Sequence, residues 1–376
     1  MPDAIDWRRV LRLALAAAVV GALLVVLAVM ATPSPEPNSG VGYSMVYANP
    51  TDRFEVLLNH ADGQAYATLA RDPTLSHPDY FAGHGEAAAP FLPRPVMPYL
   101  LWVLSVGHPG WLEVAFVLAE GLAAGLLVAA AAALLHGCGR SLEDRLALAV
   151  LALPSTLVAL FLLGQDVLAL GLVLLGIVAW CRARPAVTAS IVLFTLAALT
   201  RETTLVLVAV VGVYGLVGRG WRRRDGWLAV PFLAYLAWSA WASTRYHLRT
   251  GRGLTYNLAA PFTGFVQAAG GWSWPARLFM AAIIGFCVLA LVRPSRPLLG
   301  WMLAGFLAAS TVAAERVWDA WASGARVIMP GAVLALLAMS LPGPIAAAVR
   351  GRASTPPSGR SGGRPGPTPA PRESAS

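Results

Sequence analysis

The residues of this chain best suited to chemistry lie in Asn59-His60-Ala61-Asp62-Gly63-Gln64-Ala65-Tyr66. An acid, a glycine that frees the backbone, an amide and an aromatic fall within five positions. Arg71-Asp72-Pro73 and Arg94-Pro95 follow on the same polar segment. A loop aspartate can take a proton from a hydroxyl, and an arginine fork can hold two oxygens of a phosphate. Asp-Gly is also a common turn signal, so a capping or turn role for Asp62 stands beside the catalytic one.

Gln165-Asp166 and Arg201-Glu202 each interrupt a pair of short apolar runs. An ionisable group near a bilayer centre costs about 2.5–3.5 kcal/mol on insertion scales, so each needs a partner, water or a function. Arg201 and Glu202 could simply pair with each other to close a hairpin, and Gln165-Asp166 could be a solvated turn. Glu120 sits inside an apolar run and reads as a structurally paired or protonated acid. Glu315-Arg316-Val317-Trp318-Asp319 and Arg326 read as an outer loop. Arg245, His247, Arg249 and Arg252, with Tyr246 and Trp272, read as a surface facing lipid headgroups. Asp62, Asp166 and Glu202, with Arg94 and Arg201, form a constellation suited to an anionic, phosphate-bearing substrate.

Positioning such groups falls to an unusually apolar chain, 57% hydrophobic and 12% charged, with mean hydropathy +0.64. That excludes a soluble domain with one globular core. Repeated apolar runs joined by arginine-bearing turns predict an all-α, polytopic membrane protein. The net charge of +9 comes from arginines beside apolar runs, and lysine is absent. Such placement is a topology signal and argues against a nucleic-acid partner. Cys138, Cys181 and Cys287 are isolated, with no metal-like spacing.

The expected layout places a first span in residues 1–31 and an extracytoplasmic loop in 32–110. A transmembrane bundle fills 111–349, and a disordered cytoplasmic tail rich in Gly, Pro, Ser and Arg fills 350–376. Val96 to Val106 is too short to span and predicts an interfacial or re-entrant helix. Ten spans are expected: Leu13–Ala31, Trp111–Leu135, Leu146–Leu163, Val167–Trp180, Val187–Thr200, Thr203–Val217, Trp227–Ser243, Ala276–Val292, Leu298–Ala314 and Val327–Val349. Arginine placement then puts both termini in the cytoplasm of a plasma (inner) membrane.

Asp62-Gly63-Gln64-Ala65-Tyr66, followed by Ala70-Arg71-Asp72-Pro73, resembles the DGQxY…AxDP signature of bacterial polytopic proteins linked to cell-surface glycopolymer formation. Arg94-Pro95-Val96-Met97-Pro98-Tyr99-Leu100 resembles that family's R-x-x-x-P-x-L pattern. Leu199-Thr200-Arg201-Glu202-Thr203 and Ala260-Pro261-Phe262-Thr263-Gly264 resemble two later segments. In motif order and topology, roughly residues 50–340 are similar to glycosyltransferases of the GT-C type. Relatives usually carry asparagine near Glu120, and a longer turn than Gln165-Asp166.

The resemblance implies an enzyme that takes a sugar from a polyprenyl-phosphate donor at the outer face. The acceptor would be a cell-envelope glycan or lipid, reached from among the membrane lipids. Asp62 would be the catalytic base. Arg201, with Arg94, would offset charge on the departing phosphate, and Gln64 and Tyr66 would line the substrate site. Asp166 and Glu202 would orient these groups or hold a divalent cation, although no spacing in the sequence specifies a metal site. A lipid or glycan transporter and a non-catalytic assembly protein are the rival readings. A transporter predicts internal repeats, and none is found; an assembly protein would tolerate loss of Asp62.

Overall fold

The computed structural model describes residues 5–35, 51–59, 62–77, 91–136, 140–182, 186–245, 258–292, 297–318 and 321–340. Regular structure among them is helical, with one isolated antiparallel bridge between Leu258 and Ala313. The tail expected to be disordered, 350–376, lies outside the described residues, as do His247, Arg249 and Arg252.

The first helix, α1 (Trp7–Ala31), is capped by Asp6, whose side chain accepts from the Arg9 amide at 3.2 Å. Two short helices follow, α2 (Arg53–Asn59) and α3 (Gly63–Arg71), and then α4 (Val96–Leu104). The last is the short helix expected over this stretch. A 3-10 turn, Pro109–Trp111, leads into α5 (Leu112–Leu134), which is covered over most of its surface and forms the centre of the bundle.

Small residues set the closest crossing, between α1 and α5. A Cβ on Gly121 would lie 2.8 Å from the Ala18 carbonyl oxygen, and one on Gly125 would lie 2.7 Å from that of Ala14. Backbones can approach this closely only where side chains are absent. At the Trp7 end of α1, the Arg9 guanidinium contacts Glu143 and Asp144, each at 2.6 Å.

The stretch expected as one span, Leu146–Leu163, is two helices, α6 (Arg140–Ala152) and α7 (Pro154–Phe161), bent by 53°. Leu153 is extended and Pro154 opens α7. Proline has no N–H for the preceding helix and disfavours helical backbone in the residue before it. After α7, Leu163 takes a left-handed φ of 48° and turns the chain into α8 (Asp166–Trp180), which is buried along nearly its whole length.

The break expected at Arg201-Glu202 is present. Helix α9 (Val187–Thr200) stops at an extended Arg201, and α10 (Thr204–Arg219) starts three residues later. Then come α11 (Val230–Arg245), α12 (Thr263–Gly271), α13 (Trp274–Val292), α14 (Pro297–Thr311), the one-turn α15 (Glu315–Trp318) and α16 (Trp321–Ser340). Helix α16 begins six residues before the expected span. This moves Arg326 out of the expected loop and into a helix, and residues 341–349 lie outside the description.

Among the described residues, three helices are long and apolar enough to cross a membrane: Trp7–Ala31, Pro109–Leu134 and Trp274–Val292. The bent pair α6–α7 would make a fourth. Five further apolar helices are shorter, among them Asp166–Trp180 and Val187–Thr200. A 15-residue helix is only about 22 Å long, against a hydrocarbon core of about 30 Å. The membrane character expected from composition is therefore met by these long helices, while length alone does not make ten spans.

Candidate active site: an ion-pair centre at converging helix ends

Asp62 stands immediately before α3, in the N-cap position, yet its side chain makes no capping hydrogen bond. It turns instead toward the start of α8. Gly63 makes this possible, because a Cβ there would lie 2.6 Å from Leu58 and 3.5 Å from the Leu163 Cβ. Gly164 clears the other side. Its added Cβ would approach Asp166 Oδ2 to 3.1 Å and Arg326 Cδ to 3.3 Å.

Four charged side chains from four segments meet in this space. Arg326 Nη1 lies 2.8 Å from Asp62 Oδ2, and its Nε lies 3.3 Å from Asp166 Oδ2. Arg201 Nε lies 3.1 Å from Asp166 Oδ1, and its Nη1 is 4.0 Å from Asp62 Oδ2. All but Asp62 are almost wholly buried. Asp166 Oδ2, Arg326 Nε, and both Nε and Nη1 of Arg201 make no aligned hydrogen bond. Charge proximity holds these groups together, and hydrogen-bonding capacity is left over for another oxygen-rich group.

A second pair sits behind the first. Arg94 donates to both Glu202 oxygens, from Nε at 2.8 Å and Nη2 at 2.6 Å. Its Nη1 reaches the Tyr66 hydroxyl at 3.5 Å, and the guanidinium carbon lies 5.7 Å from the centre of the Phe91 ring. Arg201 and Glu202 therefore do not pair with each other. Each faces a different partner because Arg201 is extended while Glu202 lies in the turn that follows.

Electrostatics follow the geometry. Desolvation works against an Asp62 carboxylate, but Arg326, Arg201 and Arg94 more than offset it and hold Asp62 below the usual carboxylate range. Glu202 also loses hydration, and Arg94 with Arg201 still brings its pKa down to about 2. Burial pushes the Tyr66 phenol up, so it stays a neutral donor and acceptor.

The sequence-derived candidates thus divide. Asp62, Asp166 and Arg201 form the centre, and Arg94, Glu202 and Tyr66 form its support. Gln64 is buried on the first turn of α3. Asp72 of the Ala70-Arg71-Asp72-Pro73 segment is a turn residue, accepting from Thr74, Ser76 and the His77 amide.

Arg326, expected in a loop, is a full member of the centre. The signal available for it was an arginine directly ahead of an apolar run, which is also the form of an ordinary topology signal. Glu120 is buried on α5 with neither carboxyl oxygen hydrogen-bonded. Asp166 and Arg201 line a small crevice together with Thr203, Thr204, Ala169, Leu170, Leu207, Phe306 and Pro330.

Asp166 and Glu202, the carboxylates expected to hold a divalent cation, are poorly disposed for one. Both Glu202 oxygens are taken by Arg94, and Asp62 and Asp166 each already face Arg326 and Arg201. Among the described residues no group of three or more His, Cys, Asp or Glu side chains is arranged to hold a metal ion. The chain matches no protein-family model, no curated protein and no solved structure.

Proposed function

We propose that this chain is a membrane glycosyltransferase that moves a sugar from a polyprenyl-phosphate donor to a cell-envelope glycan or lipid at the outer face. One observation carries the reading. A loop carboxylate, Asp62, stands beside the incompletely hydrogen-bonded guanidinium of Arg201, which itself lines a small crevice with apolar residues such as Leu170, Leu207 and Phe306. An acid, a phosphate-binding cation and an apolar wall are what transfer from a lipid-linked sugar phosphate requires.

In this reading the acceptor hydroxyl oxygen attacks C1 of the sugar as the bond from C1 to the phosphate oxygen breaks. The hydroxyl proton passes to Asp62, and polyprenyl phosphate leaves. Asp62 is a weak base because of its arginine neighbours. It therefore takes the proton late, once C1 has become oxocarbenium-like and bonding to it has made the hydroxyl acidic. Arg201 uses its free donors on the leaving phosphate, where negative charge builds. Arg94 is spent on Glu202, which assigns it to support and not to the substrate.

The finer architecture belongs to the same proposal. Ten apolar segments cross the plasma membrane, with the shorter ones inside the bundle, and both termini are cytoplasmic. The ion-pair centre then lies toward the outer face. Asp62→Asn tests the function directly, since it keeps size and removes the proton acceptor. No side-chain cap is lost, but Arg326 loses its partner charge at 2.8 Å, so protein level falls as for any broken buried pair. Transfer is compared per folded molecule, where it falls by orders of magnitude. Undiminished transfer by well-expressed Asp62→Asn protein would refute the assignment.

A further inference from the structure

Asp62 and Asp166 come from segments a hundred residues apart, and one guanidinium spans both. Arg326 presents Nη1 to Asp62 and Nε to Asp166, from two sides of its planar guanidinium. Two facing carboxylates repel each other unless a cation lies between them. In many sites that cation is a divalent metal ion, which oxygen ligands attract strongly. Here the third carboxylate that would complete such a ligand set, Glu202, is committed to Arg94.

We propose that Arg326 is the built-in cation of this centre, filling the place between Asp62 and Asp166 that a divalent ion would otherwise take. Its activity consequence, that transfer needs no added metal, rests on the glycosyltransferase reading above. The placement itself does not.

Charge balance supports the assignment. Arg201 and Arg326 neutralise Asp62 and Asp166 one for one, and a divalent ion added to that set would leave two positive charges in a largely buried space. Removing Arg326 instead leaves one net negative charge, and a divalent ion then becomes favourable. Arginine suits the position because it keeps its charge when buried. The fold makes specific room for it: Gly164 lies against Arg326 Cδ, where a Cβ would come within 3.3 Å. Arg326 is buried on α16 with both carboxylates in reach, so it is not a surface charge that happens to point inward.

The test is binding of Mn²⁺ to the purified full chain in lipid, read from loss of the free-ion paramagnetic resonance signal. Wild type is expected to bind no more Mn²⁺ than Asp62→Asn/Asp166→Asn protein. Arg326→Ala is expected to bind one ion per chain, and Arg326→Ala/Asp166→Asn none. Arg326→Lys, which keeps a cation in place, is expected to bind none either. Should Arg326→Ala fail to fold, Arg326→Met restores the bulk of the stem and takes its place.

Stoichiometric Mn²⁺ on wild type that is lost in Asp62→Asn would overturn the proposal. So would a folded Arg326→Ala or Arg326→Met protein that binds no more than wild type, or failure of both to fold, which would make Arg326 a structural lock. In a transfer assay, wild-type activity should survive a metal chelator, while Arg326→Ala activity should be lost and then partly regained with Mn²⁺. Chelator-sensitive wild-type transfer would sink the built-in cation and leave the function standing. The expected Mn²⁺ pattern without sugar transfer would do the reverse.

Discussion

Arg94 grips both oxygens of Glu202, at 2.8 and 2.6 Å, and so ties the segment ahead of α4 to the turn between α9 and α10. The fork fixes the height of that turn, and with it the position of Arg201 one residue earlier. Hydrogen bonds to charged groups contribute roughly 1.5–3 kcal/mol each, and breaking one partner of a buried pair costs more than the pair is worth.

Arg94→Gln and Glu202→Gln should therefore lower protein abundance and thermal stability. Transfer per folded molecule should fall less than in Asp62→Asn. Arg94→Lys loses the two-pronged geometry and should behave like a milder Arg94→Gln. A fully stable Arg94→Lys protein with no transfer would show that Arg94 contacts the substrate instead.

Glu202 also sets an acid limit. Its carboxyl titrates near 4.5 when unperturbed and is brought down to about 2 in the fold. A depressed carboxyl contributes stability that is fully present above the unfolded value and is lost as pH falls through the folded one. The stability advantage of wild type over Glu202→Gln should thus be constant above about pH 4.5 and shrink steadily toward pH 2. Melting midpoints across that range measure it. An advantage that does not change with pH would contradict the ion pair as its source.

Arg201 separates support from substrate contact. Its Nη1 is 4.0 Å from Asp62, too far for a hydrogen bond, and is buried with no hydrogen-bond partner, so its donor capacity is left for a phosphate oxygen. Arg201→Lys keeps the charge beside Asp166 but loses the fork. It should weaken donor use by roughly tenfold to a hundredfold at unchanged abundance, the equivalent of one hydrogen bond to a charged group. Arg201→Gln should nearly abolish transfer. Rates against donor concentration decide the matter, and equal donor dependence in all three proteins would leave Arg201 as architecture.

The crossing of α1 on α5 makes a prediction free of any functional assumption. Gly121→Ala would drive a methyl group into the Ala18 carbonyl, 2.8 Å away, and force the helices apart. Overpacking of this kind costs about 1–3 kcal/mol. Gly285→Ala on α13 is the control, since nothing lies within 4 Å of its added Cβ. Thermal unfolding in matched detergent should show a clear drop for the first and none for the second.

The sequence by itself determined that the chain is helical and membrane-like, because apolar periodicity and run length are local properties that every stretch carries within it. It also marked the break at Arg201-Glu202, since a charged pair between two short apolar runs has no cheap place in a continuous helix. Asp166 and Arg201 were legible as candidates for the same reason, each a charge where its surroundings make charge expensive. Asp62 was legible from the acid, glycine, amide and aromatic clustered on one polar segment.

What the sequence could not carry was partnership. Arg201 and Glu202 are neighbours in the chain and face different residues. Arg326 looked like a loop charge until α16 proved to start early and aim it at both carboxylates. The bend between α6 and α7 likewise depended on whether Pro154 would open a helix or sit within one. Ion pairs between segments a hundred or more residues apart are set by how helices cross, and those crossings rest on small-residue contacts such as Gly121 on Ala18. Only the tertiary structure brings such residues together, because side-chain charges act through space and not along the chain.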